Sequence, residues 1–442
     1  MAQSNPVNAI KNLMKTPELK QRIGFTLLCL LIYRIGAHIT APGIDTQALI
    51  DFFNNQRQGG LLGLWDLFVG GGLARATLFA LGIVPYISAS IIFQVVGAVI
   101  PTVEKMQKEE EGRKRITQWT RYMTVGIAWI QAWGFALFME SLQGAVRSPG
   151  YAFRVEMSLF LTAGAMFVMW LGEQITERGI GNGASLLIFF SIVERIWPSM
   201  IDTWKFVGTG AIQPLALVVL ALVMVAVVAG TVAVTVAQRR VKIEIPQRTM
   251  ARGRQREAAR NFIPLKMNSA NVMPIIFAST VIVVPGTIAQ FSGNPRLQTM
   301  AEYLQPGTGL YYVLSAILIL FFTYFYTSII FNPVDIAENL KKQGAFIPGI
   351  KPGAKTAEYI DEVVSRITLP GAVFLTVIAL MPVWISTLLN VPFRFGGTSL
   401  LIVVGVGLDT LQQLQQHLLL RKYDGFMKKG RVRFRGRQQA GF

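Results

Sequence analysis

The chain has almost no cysteine or histidine. Of its 442 residues, one is cysteine, Cys29, and two are histidine, His38 and His417. A single thiol forms no internal disulfide, and inside an apolar run it says nothing about redox compartment. Two distant histidines make no metal-ligand cluster, so no metal or cofactor is expected. An intramembrane enzyme would also lack its nucleophile, base or metal set. Charge is scarce where apolar residues are dense: Asp, Glu, Lys and Arg make up 15% of the chain, apolar residues 52%. A small-solute carrier or proton pump needs ionisable groups inside its spans. Here the span centres are nearly free of them, Asp409 near one end of the last apolar run being the main exception. The glycine-rich segment Gly179–Gly183 has no preceding strand, so it reads as a tight turn and not as a phosphate loop.

What is present is a series of long uncharged runs separated by short charged segments. The net charge is +18 and the mean hydropathy +0.45. This is the pattern of an all-α polytopic membrane protein. The runs fall at about 23–39, 78–100, 122–138, 153–171, 184–200, 215–237, 272–291, 310–331, 369–389 and 398–419, about ten spans in all. When the intervening segments are taken alternately from the N terminus, the great majority of the 42 Lys and Arg fall on one set. Positive segments stay on the cytoplasmic side, which puts both termini there and requires an even number of spans. The competing reading of the first run as a cleaved signal peptide is disfavoured, because no small-x-small site follows it. Arg34, near the end of that run, is expected to snorkel to the interface. With this much apolar sequence, the basic balance points to the membrane surface or an acidic partner before nucleic acid.

The stretch 61–100 organises the rest. Leu61–Val69 is apolar but too short to span, since crossing needs about 20 residues. Gly70, Gly71 and Gly72 then form a glycine hinge. The run 78–100 is long enough to cross but holds Pro85, which is expected to kink it. A half-inserted piece, a hinge and a kinked span suggest a moving part. Pro85-Tyr-Ile-Ser-Ala-Ser faces Pro274-Ile-Ile-Phe-Ala-Ser in register, in spans two and seven. Five spans is an odd number, so the two halves run oppositely through the membrane. Inverted repeats of this kind place a pathway at their interface, lined by interrupted helices. Ile83 and Ile87 share one face of span two. At such an interface that stripe suits an apolar constriction that gates by excluding water.

Several longer motifs carry a resemblance. These are Phe79-Ala-Leu-Gly-Ile-Val-Pro-Tyr-Ile-Ser-Ala-Ser, Trp170-Leu-Gly-Glu-Gln-Ile-Thr-Glu-Arg-Gly-Ile-Gly-Asn-Gly, Pro264-Leu-Lys-Met-Asn with Met273-Pro-Ile-Ile-Phe-Ala-Ser, Ala345-Phe-Ile-Pro-Gly-Ile-Lys-Pro-Gly, and Gly397-Thr-Ser-Leu-Leu-Ile-Val-Val. In order and over nearly the whole chain, they resemble the bacterial SecY family, the channel-forming subunit of the Sec protein translocase. The resemblance implies ten transmembrane helices in two inverted five-helix halves around an hourglass pore with a plug helix. It places a pore ring at Ile83, Ile87, Ala184, Ile188, Ile276 and Ile402. It places the plug and its hinge at about 61–75, through Leu64, Trp65, Leu67, Phe68, the three glycines and Arg75. A lateral gate would run between spans two and three and spans seven and eight, through Ser88, Ser90, Ile91, Gln94, Thr280 and Val284. The SecA motor or a ribosome, through its RNA, would dock on basic residues Arg239, Arg240, Arg248, Arg252, Arg254, Arg256 and Lys351. SecE and SecG would complete the complex, with secretory preproteins and nascent membrane proteins as cargo and the bacterial plasma membrane as its location.

Two departures from the family pattern stand out. Ala184 replaces a ring isoleucine one turn before Ile188, which should widen the constriction unless a neighbour fills it. Lys351 stands where the motif usually carries arginine, keeping the charge but losing bidentate geometry. The expected division is 1–22 N-terminal segment, 23–200 first half with the plug, 201–237 external loop and span six, 238–269 basic loop, 270–331 spans seven and eight, 332–368 loop, 369–420 spans nine and ten, and 421–442 basic tail. The alternative reading is a secondary transporter built on the same repeat, which would need a polar midplane site.

Overall fold

The computed structural model describes residues 17–55, 60–142, 144–208, 214–244, 261–268, 270–291, 294–388 and 397–429. The first half holds α1 (Pro17–Gly36), α2 (Thr46–Asn55), α3 (Leu61–Val69), α4 (Val84–Val99), α5 (Pro101–Lys108), α6 (Glu110–Ser141), α7 (Tyr151–Arg178) and α8 (Gly183–Gly208). The second half holds α9 (Pro214–Val236), strands β1 (Gln238–Ile243) and β2 (Asn261–Lys266), α10 (Met273–Phe291), α11 (Pro295–Tyr303), α12 (Gly309–Ile330), α13 (Pro333–Lys342), α14 (Ala354–Leu388) and α15 (Gly397–Lys429).

Eight described helical segments are long and apolar enough to cross a membrane, and α4 with α5, bent by 111° at their junction, supplies a ninth candidate. The 20-residue α1 carries the first apolar run, flanked within the helix by Arg22 and Arg34, and brings the count to the ten expected. Helices are the form these runs must take, because lipid offers the backbone no hydrogen-bond partner. The bend after α4 has a local cause. Ile100 precedes Pro101 and adopts extended geometry (ψ 111°), as a residue before proline prefers.

The repeat predicted from Pro85 and Pro274 is visible in the packing. In the first half α1 packs on α7, α4 on α6, α6 on α7, and α7 on α8. In the second half α9 packs on α14, α10 on α12, α12 on α14, and α14 on α15. The two halves meet along α4–α10 on one side and α8–α15 on the other, with the short α3 held between α8 and α10.

The structure corrects the expected role of Pro85. No kinked helix runs over 78–100. Residues 70–83 form successive turns, and α4 begins at Val84 with Pro85 in its first turn. Proline is well placed there, since the first turn has no intrahelical acceptor for its missing N–H. Pro274 has the same place in α10, which begins at Met273, whereas Pro285 lies in the interior. The repeated proline therefore sits in the first turn of a helix in each half.

The segment expected as a basic loop at 238–269 holds an antiparallel ribbon. Gln238 pairs with Lys266 and Ile243 with Asn261, and a further bridge joins Glu244 to Phe346. Behind the ribbon, Val241, Leu265, Leu340, Ile347, Ile360 and Val364 form a buried cluster separate from the membrane core. The two expected loops are thus one packed body. It also explains why α14 starts at Ala354, far ahead of its apolar run: Ile360, Val363 and Val364 of its first turns are buried against the ribbon.

Candidate functional site

Where the two halves meet, the chain packs isoleucines from four elements. Ile83 caps α4 and Ile87 lies one turn further on; Ile188 comes from α8, Ile276 from the first turn of α10, and Ile402 from α15. All five belong to one buried cluster, at 5, 6, 2, 3 and 0% exposure, and Ala184 is partly buried against it. The sequence-predicted ring residues are therefore brought together. Above them lies a cavity of about 270 Å³, its apolar floor including Ile87, Ala184, Ile188 and Ile276. Its walls are polar, with Gln94, Asn182 and the Arg121–Glu173 ion pair (2.8 Å) among the lining groups. The arrangement is a cavity with polar groups on its walls and part of the buried isoleucine cluster along one side.

The short α3 packs between α8 and α10. Leu67 and Phe68 join the same cluster as the isoleucines, while Leu61, Leu62 and Trp65 are buried in the neighbouring one. Leu64 is half-buried against that second cluster. Leu61 fits because α10 has Gly286 there: a Cβ on Gly286 would lie 2.4 Å from Leu61 Cδ1. The three glycines differ from the loose hinge that sequence suggests. All are buried, and Gly70 (φ 72°) and Gly71 (φ 86°) hold left-handed conformations that favour glycine. Gly71 N–H donates to the Asp66 carbonyl at 2.9 Å, closing the end of α3. Arg75 follows, half-buried.

Several residues at this site escaped sequence reasoning. Asp66, 1% exposed, forms an ion pair with Arg195 of α8 at 2.5 Å and accepts Ala74 N–H at 2.9 Å. The Tyr33 hydroxyl of α1 hydrogen-bonds Ser191 Oγ at 2.8 Å. Arg34, expected to snorkel to the interface, has its guanidinium paired with Glu194. These partners come from runs more than 100 residues apart, so no local spacing signals them.

Helices α4 and α10 pack against each other. Ile91 is buried and Val284 partly so. Ser88 donates to the Val84 carbonyl at 2.9 Å and Thr280 to the Ile276 carbonyl at 2.7 Å, so both hydroxyls are satisfied within their own helices. Gln94 donates to Ser90 Oγ at 3.0 Å on the cavity wall. Asp409, the one carboxylate singled out in a span, accepts from Asn271 Nδ2 at 2.8 Å and ties α15 to the segment entering α10. On the ribbon, Arg239 and Arg240 are exposed, and the Arg240 guanidinium stacks 4.8 Å over Phe262. Lys351 is exposed as well; Arg248, Arg252, Arg254 and Arg256 lie outside the described residues.

Membrane-length helices in two matched halves, packed through one isoleucine-rich buried cluster with the short α3 between α8 and α10, define a polytopic membrane protein. The SecY family model matches residues 77–411. The protein translocase subunit SecY of Aquifex aeolicus is 44% identical over 428 residues, covering 95% of this chain and 99% of that one. The chain belongs to the SecY family. Two solved structures share the fold. One, described as showing that the plug domain of SecY stabilises the closed state of the translocation channel and maintains a membrane seal, has a TM-score of 0.65 at 18% identity, over 94% of this chain and 95% of the other. The second, Sec61 in a canine ribosome–channel complex from the endoplasmic reticulum, has a TM-score of 0.62 at 18% identity, with the same coverage.

Proposed function

We propose that the chain is the central channel subunit of a Sec translocase, a protein-conducting channel and not an enzyme. It passes unfolded secretory polypeptides across the bacterial plasma membrane and releases transmembrane segments sideways into lipid. The observation that carries this reading is the dry floor: isoleucines from α4, α8, α10 and α15 meet below a polar vestibule. Such a ring has no fixed donors or acceptors, so it lets many side chains pass and binds none strongly. Ions and water are opposed by the cost of stripping hydration. The helix α3 acts as the plug, and the α4–α10 seam, flanked by α6 and α12, as the lateral gate. The basic ribbon and the Lys351 turn suit an acidic motor or ribosomal RNA, since exposed arginines are good phosphate ligands. SecA or a ribosome is the partner on that face, with both termini cytoplasmic, and SecE and SecG complete the complex. The energy for transport comes from those partners or from synthesis itself.

The test is a photo-crosslink. A probe at Ile87 and a control at the lipid-exposed Val377 of α14 are compared on a secretory chain stalled in mid-transfer. An adduct from position 87 alone is expected. No adduct, with the stalled chain verified, would reject the reading and return attention to a solute carrier, scored by substrate uptake into vesicles. Ala184 offers a finer check. It lies on the vestibule floor where a larger side chain has room, so Ala184→Ile is expected to lower resting ion leak without loss of assembly. An unchanged leak would mean that the cluster already seals that side.

A further inference from the structure

The plug carries a charge that an apolar stopper does not need. Asp66 stands on the buried face of α3 at 1% exposure, among Trp65, Leu67 and Phe68. One carboxylate oxygen takes Ala74 N–H from the turn beyond the glycines, and the other takes Arg195 from α8. The guanidinium lies against the glycine turn: a Cβ on Gly71 would be 2.9 Å from Arg195 Nη1 and 3.3 Å from Cζ. Gly71 thus leaves space that Arg195 occupies, a second mark of a built site. The preceding residue, Glu194, pairs with Arg34 of α1. Two adjacent residues of α8, opposite in charge, therefore grip two different elements.

We infer that Asp66 and Arg195 are a latch that positions the plug and sets the threshold for opening, so that they help decide which cargo opens the channel; this rests on the reading of α3 as a plug. A buried ion pair is strong only while it is dry, because its attraction falls steeply with rising local dielectric. Exposed to water, such a pair contributes little. The first water admitted beside α3 therefore weakens the contact that keeps water out, and opening becomes close to all-or-none. A purely apolar plug would instead be released in proportion to the area uncovered.

The two ends of the latch are not equivalent. Arg195→Gln leaves a carboxylate buried without its cation, whereas Asp66→Asn leaves a guanidinium that is 19% exposed and able to reach water. In vesicles holding the whole complex, Arg195→Gln is expected to raise resting ion leak about tenfold, and Asp66→Asn only a few-fold. The double variant should leak no more than Asp66→Asn alone, because it removes the stranded charge. Both single variants should also export a precursor with a weakened signal sequence. A parallel arm locks the plug. In a Cys29→Ala background, Gly70→Cys with Ser191→Cys brings two thiols together, a Cβ at Gly70 lying 3.4 Å from that of Ser191, and the reduced double variant is the control for strain at the left-handed Gly70. The oxidised protein should be closed to cargo and reopened by reductant. Singles that melt normally yet leak no more than the parent, or a double variant whose effects simply add, would overturn the latch while leaving the plug intact. Cargo transport through the oxidised protein would overturn the plug reading itself.

Discussion

Ile87→Arg is expected to make the resting channel conduct ions. Ile87 is 6% exposed and faces both the vestibule floor and the cluster that holds Ile188 and Ile276. A guanidinium there cannot stay dry: moving an ion out of water costs several kcal/mol even after relaxation, so water follows it into the ring. If that water removes about 3 kcal/mol of the barrier to a passing ion, conductance rises by about a hundredfold. Ile276→Lys should act alike from the opposite half. Ile87→Val keeps the seal dry and is the control. The measurement is ion flux in vesicles, paired with export of a precursor whose signal sequence is defective; both should rise together. Unchanged leak and unchanged stringency in the charged variants would count heavily against a constriction at these residues.

Gly183→Ala is expected to damage the fold and the seal together. Gly183 opens α8, one residue before Ala184, and a Cβ there would lie 1.9 Å from the Gly172 carbonyl oxygen of α7. Cβ contacts essentially never fall below 3.0 Å, so two backbones must part by about 1 Å. No side chain can turn aside to absorb this. Overpacking of this kind costs about 3 kcal/mol, and the displacement would carry Ala184 and Ile188 with it. A lower melting temperature in detergent and a higher resting leak are expected. Gly126→Ala is the control, since nothing lies within 4 Å of a Cβ there. If the Gly183 variant melts like the parent, α7 and α8 are not held as closely as described.

Much of this architecture can be read along the chain. The apolar runs gave the spans within a few residues wherever a run stands alone, as in α9, α10 and α12, because lipid leaves a long apolar segment only one backbone solution. The motif resemblance located the isoleucines that the fold gathers from α4, α8, α10 and α15. Other features were hidden for physical reasons. Whether Pro85 kinks a helix or starts one depends on where the first turn falls, and the turns at 70–83 are seated against α1, α7 and α8, contacts that the local sequence does not announce. The ribbon pairs Gln238 with Lys266 across a segment whose sequence reads as uniformly polar and basic. Asp66 with Arg195, and Arg34 with Glu194, are contacts between distant runs, and one-dimensional charge spacing cannot pair them. Gly172 and Gly183 look like the edges of a turn; only the crossing of α7 and α8 shows that they admit backbone to backbone.

The ribbon and the 333–364 segment share one apolar core and one backbone bridge between Glu244 and Phe346. Joined in this way, they form one body whose roots are the spans on either side. The strands join α9 and α10 to that body, and the helices join α12 and α14 to it. The four spans α9, α10, α12 and α14 are thereby tied to one body outside the membrane core and held together through it, not one by one.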